Sequence, residues 1–278
     1  MKTILSIQSQ VVGARVGNSV AAFAMERLGV RVLQAPTTLL GRRPDHGPPG
    51  GGPIPAETLA ALIDGLGADG MFAAIDAVLT GYLPSRAHVR FAAEAFARVR
   101  AIQPQSLNFC DPILGDDPEG LYVDPGAAEA VREELLPIAD LVSPNRFELS
   151  WLTGREVGTI AEAVHAARSL PVAVVVLATS IPVESDRIAT ALVEPRRAVF
   201  CTVPLWSEVP HGTGDLLTAL FLGHGLNGGT DAEAVARAVA GVEATIAKSM
   251  GRDDLDLAAS QDVWLRTEGA TVETYESR

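Results

Sequence analysis

Residues 211–215 read His-Gly-Thr-Gly-Asp, and an apolar run, Leu216 to Leu222, follows without a break. Two glycines around a threonine let a chain turn tightly into a helix, so that backbone N–H groups and the positive helix end converge on an anion. Asp215, in the first turn, is then well placed to take a proton from a hydroxyl while the turn holds charge on a transferring phosphoryl group. The chemistry implied is phosphoryl transfer to an alcohol. A purely structural reading stands beside it, in which the glycines make a strand-to-helix turn and Asp215 complements the helix dipole.

Other polar residues fall where such a site would need them. Asp111-Pro112 follows the apolar strand pattern Ser106 to Cys110, and a carboxylate at a strand end before a glycine-containing loop suits a metal-nucleotide. Asn145 and Glu148 are three apart, which is capping-box spacing if a helix begins there; the functional alternative has Glu148 holding a metal-bound water near phosphates. Hydroxyls at Thr179 and Ser180, at the expected end of a strand from Val172 to Leu177, suit phosphate. Tyr82 follows another strand end, as either a pocket ring or a core-edge aromatic.

The elements that must carry these residues alternate between β and α. Thr3 to Gln8 reads as a strand, Gly17 to Leu28 as a helix and Val30 to Ala35 as a second strand, the opening of a parallel sheet whose ligand loops lie at the carboxyl ends of its strands. Helices are expected at Pro55 to Leu66, His88 to Arg100, Gly126 to Leu135, Thr159 to Leu170 and Asp231 to about Met250, with a last one at Ser260 to Arg266 started by Ser260 or Gln261. Strands are expected at Ile75 to Thr80 and Ala139 to Val142. Ile188 to Val193 and Ala198 to Val203 read as a pair giving the sheet an antiparallel edge, and the tail from Gly269 as an added edge strand or a frayed end. Residues 39–53, rich in Gly and Pro, have almost no apolar side chain and read as a flexible flap without regular structure, from which Arg42, Arg43 and His46 reach a phosphate or an aromatic substrate.

Composition narrows the functional class. The 278 residues, 47% hydrophobic, suffice for a large core, and neither repeat nor linker divides them, so one domain over residues 1–278 is expected. A formal net charge of −12 argues against nucleic acid or an anionic membrane as partner. Two distant cysteines, Cys110 and Cys201, make no disulfide framework or zinc cluster. No apolar stretch reaches membrane-spanning length and the first residues read as a strand, not a signal peptide, so a cytoplasmic location is expected.

Taken in order, Ser6-Ile7-Gln8-Ser9, Gly17-Asn18-Ser19, Gly81-Tyr82-Leu83, Asp111-Pro112, Gly120-Leu121-Tyr122-Val123, Pro144-Asn145 with Glu148, and Gly212-Thr213-Gly214-Asp215 resemble the pyridoxal kinases of the ribokinase-like superfamily along nearly the whole chain. The resemblance implies a three-layer α/β/α sandwich around a mostly parallel sheet, ATP-dependent phosphorylation of the hydroxymethyl group of pyridoxal, a divalent cation such as Mg2+, and a homodimer. By position it implies that Asp215 is the general base and that the N–H groups of Gly212, Thr213 and Gly214 form the anion hole. Asp111, Asn145, Glu148, Thr179 and Ser180 match the nucleotide side, with Asp111 and Glu148 toward the metal. Ser9, Gln10, Thr37, Arg43, His46, Gly47 and Tyr82 match the substrate side. The departures lie there: relatives commonly read Ser-His-Val-Val-Tyr-Gly where this chain has Ser9-Gln10-Val11-Val12-Gly13-Ala14, Arg43 replaces a histidine, and His46 stands where a tyrosine is common. No lysine accompanies Thr179 and Ser180.

Two other readings remain open from the sequence. A hydroxymethylpyrimidine kinase of the same fold commonly carries cysteine after the Gly-Thr-Gly turn, where this chain has Asp215. A non-catalytic relative that binds a B6 compound or nucleotide is motivated by Gln10, Gly13 and Arg43, but has no need of Asp215.

Overall fold

The computed structural model describes residues 1–170, 175–184 and 186–276. Its strands are β1 (Thr3–Val11), β2 (Arg31–Leu40), β3 (Gly51–Pro53), β4 (Ala77–Thr80), β5 (Leu107–Cys110), β6 (Gly115–Asp116), β7 (Gly120–Leu121), β8 (Leu141–Val142), β9 (Val175–Glu184), β10 (Arg187–Val193), β11 (Ala198–Pro204) and β12 (Glu273–Thr274). The helices are α1 (Asn18–Arg27), α2 (Ala56–Ala68), α3 (Arg86–Ile102), α4 (Pro125–Ala130), α5 (Arg146–Thr153), α6 (Ile160–Arg168), α7 (Thr213–Leu226), α8 (Asp231–Ser249) and α9 (Leu257–Arg266).

Ten strands form one sheet in the order β12-β11-β10-β9-β8-β5-β4-β1-β2-β3, and β6 with β7 makes a separate small hairpin. The strands from β2 to β9 in that order pair in parallel. Antiparallel pairs close both sides: β9 to β12 at one, as the Ile188 and Ala198 runs predict, and β3 on β2 at the other.

Side-chain alternation sends successive residues of each strand to opposite faces, and the burial follows it. Leu5, Ile7, Val78, Cys110 and Val142 join the core under α2 to α6, while Ile4, Ala77, Leu79, Phe109 and Leu141 join the core under α1, α7, α8 and α9. Burial on both faces explains why these strands are continuous apolar runs. The result is the expected three-layer α/β/α sandwich. Among the described residues no helix is long and apolar enough to cross a membrane.

Three expectations need correction. Residues 39–53 do hold regular structure: β2 runs on to Leu40, a 3-10 turn spans Pro44–His46, and β3 pairs back with Thr38, Leu39 and Leu40. Backbone pairing needs no apolar side chains, and Pro49 O accepts N–H bonds from Gly41 and Arg42 at 3.1 Å each. Thr179 and Ser180 do not end their strand; β9 continues to Glu184 because β10 returns along it, with a register shift nearby and Ser180 at φ 58°. The start of that strand at Val172 lies outside the described residues. Lastly, α9 begins after Asp256, whose side chain accepts the Ala259 N–H, whereas Ser260 lies inside the helix and bonds Asp256 O. The tail does add an edge strand, β12.

Candidate active site

The parallel strands deliver their carboxyl ends to one rim of the sheet, the place where open α/β sheets bind ligands. Asp111 follows β5, Ser143 to Asn145 follow β8, and Thr179 sits beside Asn145 in a parallel bridge, its N–H bonded to Pro144 O at 3.0 Å.

Gly212 caps α7 at φ 92°, a left-handed conformation, and a Cβ there would lie 2.2 Å from Arg15 O. Only glycine lets the turn sit this close to the β1–α1 loop. The first turn of α7 then carries Asp215, whose Oδ2 accepts the Gly17 N–H at 2.9 Å. Gly17 takes φ 57° and ψ −134°, and a Cβ on it would strike Ser9 O at 2.4 Å. A buried network fixes this corner: Ser6 Oγ donates to Asn18 Oδ1 (2.8 Å), Gln8 Nε2 to Ser6 Oγ (2.7 Å) and Asn18 Nδ2 to Gln8 O (3.0 Å). Burial pushes the Asp215 carboxyl up to about 6, with the Gly17 N–H pulling the other way. Its titration thus moves toward neutral pH, the range that suits a general base.

Asn145 and Glu148 form the capping box of α5. Asn145 Oδ1 accepts the Glu148 N–H (2.9 Å), and Glu148 Oε2 accepts the Asn145 N–H (2.9 Å). The structural reading of the pair is therefore realised, and it reaches further than a cap. Glu148 Oε1 also accepts the Leu114 N–H at 2.7 Å, and Asn145 Nδ2 donates to Gly115 O at 2.8 Å, so the box clamps the loop after Asp111. Burial raises the Glu148 carboxyl to about 7, against the backbone N–H groups of Asn145, Leu114 and Gly115.

Asp111 is buried, and its Oδ2 accepts the Thr218 hydroxyl at 3.0 Å. Burial, then the neighbouring charges of Glu148 and Asp215, hold its carboxyl well above the usual range, against hydroxyl bonds from Thr218 and Ser143. Three carboxylates from β5, α5 and α7 thus share one electrostatic environment, and none of the three is in an ion pair with Lys, Arg or His among the described residues. Tyr122 borders it with about half its surface open to solvent; desolvation at its hydroxyl and the charges of Glu148, Asp111 and Asp215 push that hydroxyl up. No group of three His, Cys, Asp or Glu that could hold a metal occurs among the described residues. The donor set fits a hard cation held by one or two carboxylates and completed by phosphate oxygens and water.

The residues matched to the substrate are placed less directly. Ser9 sits against Gly17, but Gln10 Nε2 turns to Ser19 Oγ at 2.8 Å. Fully buried Thr37 donates to Tyr82 O at 2.7 Å, joining β2 to the loop after β4. Arg43 is spent within the protein, bonding Asp45 of the flap at 2.8 and 3.1 Å and Asp253 O, before α9, at 3.2 Å. His46 Nε2 lies 2.9 Å from Arg43 Nη2, and His211 Nε2 lies 3.7 Å from Asp45 Oδ2, which brings the flap beside the turn before Gly212. Gly47 ends the 3-10 turn.

Sequence reasoning missed Thr218 and Ser143 as partners of Asp111, and the Gly17 N–H as partner of Asp215. The one available signal was Thr218 itself, a hydroxyl inside the otherwise apolar run Leu216 to Leu222.

The phosphomethylpyrimidine kinase family model matches residues 24–256. The chain is 37% identical over 271 residues to pyridoxal kinase PdxY of Paraburkholderia xenovorans, covering 94% of this chain and 93% of that protein. It is 34% identical over 273 residues to pyridoxal kinase PdxY of Deinococcus radiodurans, covering 94% and 92%. A solved structure of the pyridoxal kinase from Leishmania donovani, in complex with ADP and pyridoxamine, superposes with a TM-score of 0.93 at 26% identity, over 99% of this chain and 100% of that one.

Proposed function

The chain belongs to the pyridoxal kinase family, and we propose that it transfers the γ-phosphoryl group of ATP to the 5′-hydroxymethyl oxygen of pyridoxal, releasing ADP and pyridoxal 5′-phosphate. One observation supports this chemistry above the rest: Asp215 stands in the first turn of α7, directly after the Gly212-Thr213-Gly214 turn, with its carboxyl raised to about 6.

In this reading Asp215 takes the hydroxyl proton as the alcohol oxygen attacks the γ-phosphorus. The O–P bond forms opposite the bridging oxygen, which leaves with ADP. The N–H groups of Gly212, Thr213 and Gly214, with the α7 dipole behind them, hold the charge on the equatorial oxygens. Asn145, Thr179 and Ser180 line the nucleotide side. Ser9 and Tyr82 meet the pyridine ring, and the flap bearing Arg43, His46 and Gly47 closes over it. Asp111 and Glu148 would hold a divalent cation such as Mg2+, which would offset phosphate charge. Family membership also supports a homodimer working in the cytoplasm.

The test is ATP turnover with pyridoxal, pyridoxine, pyridoxamine and hydroxymethylpyrimidine, with Asp215→Asn as control. At least one B6 vitamer is phosphorylated, and the variant loses roughly 10²–10⁴-fold in kcat, the usual contribution of a positioned base. Turnover of hydroxymethylpyrimidine alone, or of nothing, overturns the reading, and an undiminished Asp215→Asn removes Asp215 as the base.

A further inference from the structure

Thr218 departs from four other helical hydroxyls of this protein, each of which bonds within its own helix. Thr153 Oγ1 bonds Leu149 O at 2.7 Å, Thr245 Oγ1 bonds Gly241 O at 2.7 Å, Ser249 Oγ bonds Thr245 O at 2.6 Å and Ser260 Oγ bonds Asp256 O at 2.8 Å. Each returns to the carbonyl four residues back, which satisfies a buried hydroxyl locally. Thr218 instead donates across 107 residues of sequence to Asp111 Oδ2 at 3.0 Å, and lies 3.3 Å from Ser143 Oγ. All three residues are buried, with Thr218 only 2% exposed.

The placement joins two halves of the site. Thr218 lies three residues after Asp215, so both face the same side of α7. Asp111 and Ser143 stand at the ends of the neighbouring strands β5 and β8. The Thr218 bond thus spans the distance between the helix that carries Asp215 and the strand end that carries Asp111. An alanine or valine would serve the core of α7 equally well, since its other residues from Leu216 to Leu222 are apolar; the hydroxyl serves only the carboxylate.

We propose that Thr218, seconded by Ser143, is a positioning residue that fixes the Asp111 carboxylate for the cation-bound nucleotide and holds it in register with Asp215. The inference rests on the assignment of Asp111 to the nucleotide site. A hydroxyl behind a ligating carboxylate sets which way its free oxygen points, and loss of such a partner typically costs 10–100-fold in metal affinity or activity.

The experiment is calorimetric titration of the full-length protein with ADP, with and without magnesium chloride, for wild type, Thr218→Val, Thr218→Ser, Ser143→Ala and Asp111→Asn. Thr218→Val keeps the shape and loses the donor. It weakens magnesium-dependent ADP binding about 10–100-fold, leaves magnesium-free binding unchanged, and raises the magnesium concentration for half-maximal turnover. Thr218→Ser restores wild-type values, and Ser143→Ala shifts them in the direction of Thr218→Val, which reads the same clamp from β8 if the valine variant does not fold. Combined with Asp111→Asn, Thr218→Val has no further effect, as expected for two residues acting as one unit. Equal losses with and without magnesium, or wild-type binding in Thr218→Val, overturn the inference while Asp111→Asn still weakens binding. An Asp111→Asn variant that binds magnesium-ADP normally overturns the site assignment itself.

Discussion

Replacing Glu148 with glutamine separates the two duties its carboxylate carries. Its Oε1 accepts the Leu114 N–H at 2.7 Å and its Oε2 the Asn145 N–H at 2.9 Å, with the side chain only 3% exposed. An amide offers one oxygen, so in either orientation its NH2 faces a backbone donor. Below pH about 7, where the folded carboxyl is protonated, that forfeits one neutral hydrogen bond, worth about 0.5–1.5 kcal/mol, and strands a buried N–H at about 1–3 kcal/mol. The net loss is about 2–4 kcal/mol, or roughly 3–7 °C in Tm for a chain of this size. The pH dependence sharpens the case. Because the folded carboxyl titrates at about 7, above the ordinary 4.5, the native state holds a proton that the unfolded chain has released between those values. The Glu148 contribution is therefore complete below pH about 4.5 and is lost as pH rises through about 7. The protonated acid still turns two oxygens to the two N–H groups, which the amide cannot. Ligand-free thermal melts between pH 5 and 8 should show the wild type losing stability with rising pH and Glu148→Gln losing less, the remaining slope coming from Asp111 and Asp215, so the gap narrows toward pH 8. An unchanged Tm, or a gap that widens with pH, would refute the clamp as described.

Two further outcomes follow from the α7 turn. Gly212→Ala forces a side chain into a left-handed position at φ 92°, about 1–2 kcal/mol before any clash, and sets its Cβ 2.2 Å from Arg15 O. The turn must shift, and steady-state kinetics should show kcat down by about 10²-fold, as expected for ångström-scale misplacement; wild-type kcat would count against the anion hole. The Asp215 carboxyl at about 6 predicts an acid limb in kcat/KM at that pH, with activity rising as the base ionises. The limb should vanish from the residual activity of Asp215→Asn.

The sheet was legible in the sequence wherever apolar runs are buried on both faces, as in β1, β4 and β5, and so was the α5 capping box, whose two residues are local partners. Legibility failed where the deciding partner was remote or lacked side-chain signature. Residues 39–53 read as irregular because apolar content, not backbone pairing, was the signal consulted; β3 needs only the facing N–H and C=O groups of β2. Thr179 and Ser180 seemed to end a strand because the antiparallel return of β10 cannot be seen from β9. Arg43 was matched to substrate by position, yet a neighbour two residues away, Asp45, holds its guanidinium. Thr218 stayed hidden because its partner lies 107 residues off.

The margins of the sheet bear on how this protein behaves in concentrated solution. A ten-stranded sheet offers two rims of unpaired backbone, and long flat rims recruit further chains. Here one rim ends in β3, three residues closed by Pro53, which has no N–H to give, and the other in β12, the two exposed residues Glu273 and Thr274. The tail that brings β12 is anchored by Ala270 N–H to Ala236 O and covers Val199 and Phe200 of β11. Trimming the chain at Gly269 would uncover Val199 and Phe200 and leave β11 as a longer apolar rim, so the tail shields the sheet from edge-to-edge association, and shortened versions should show a larger aggregate fraction than the full chain in size-exclusion chromatography.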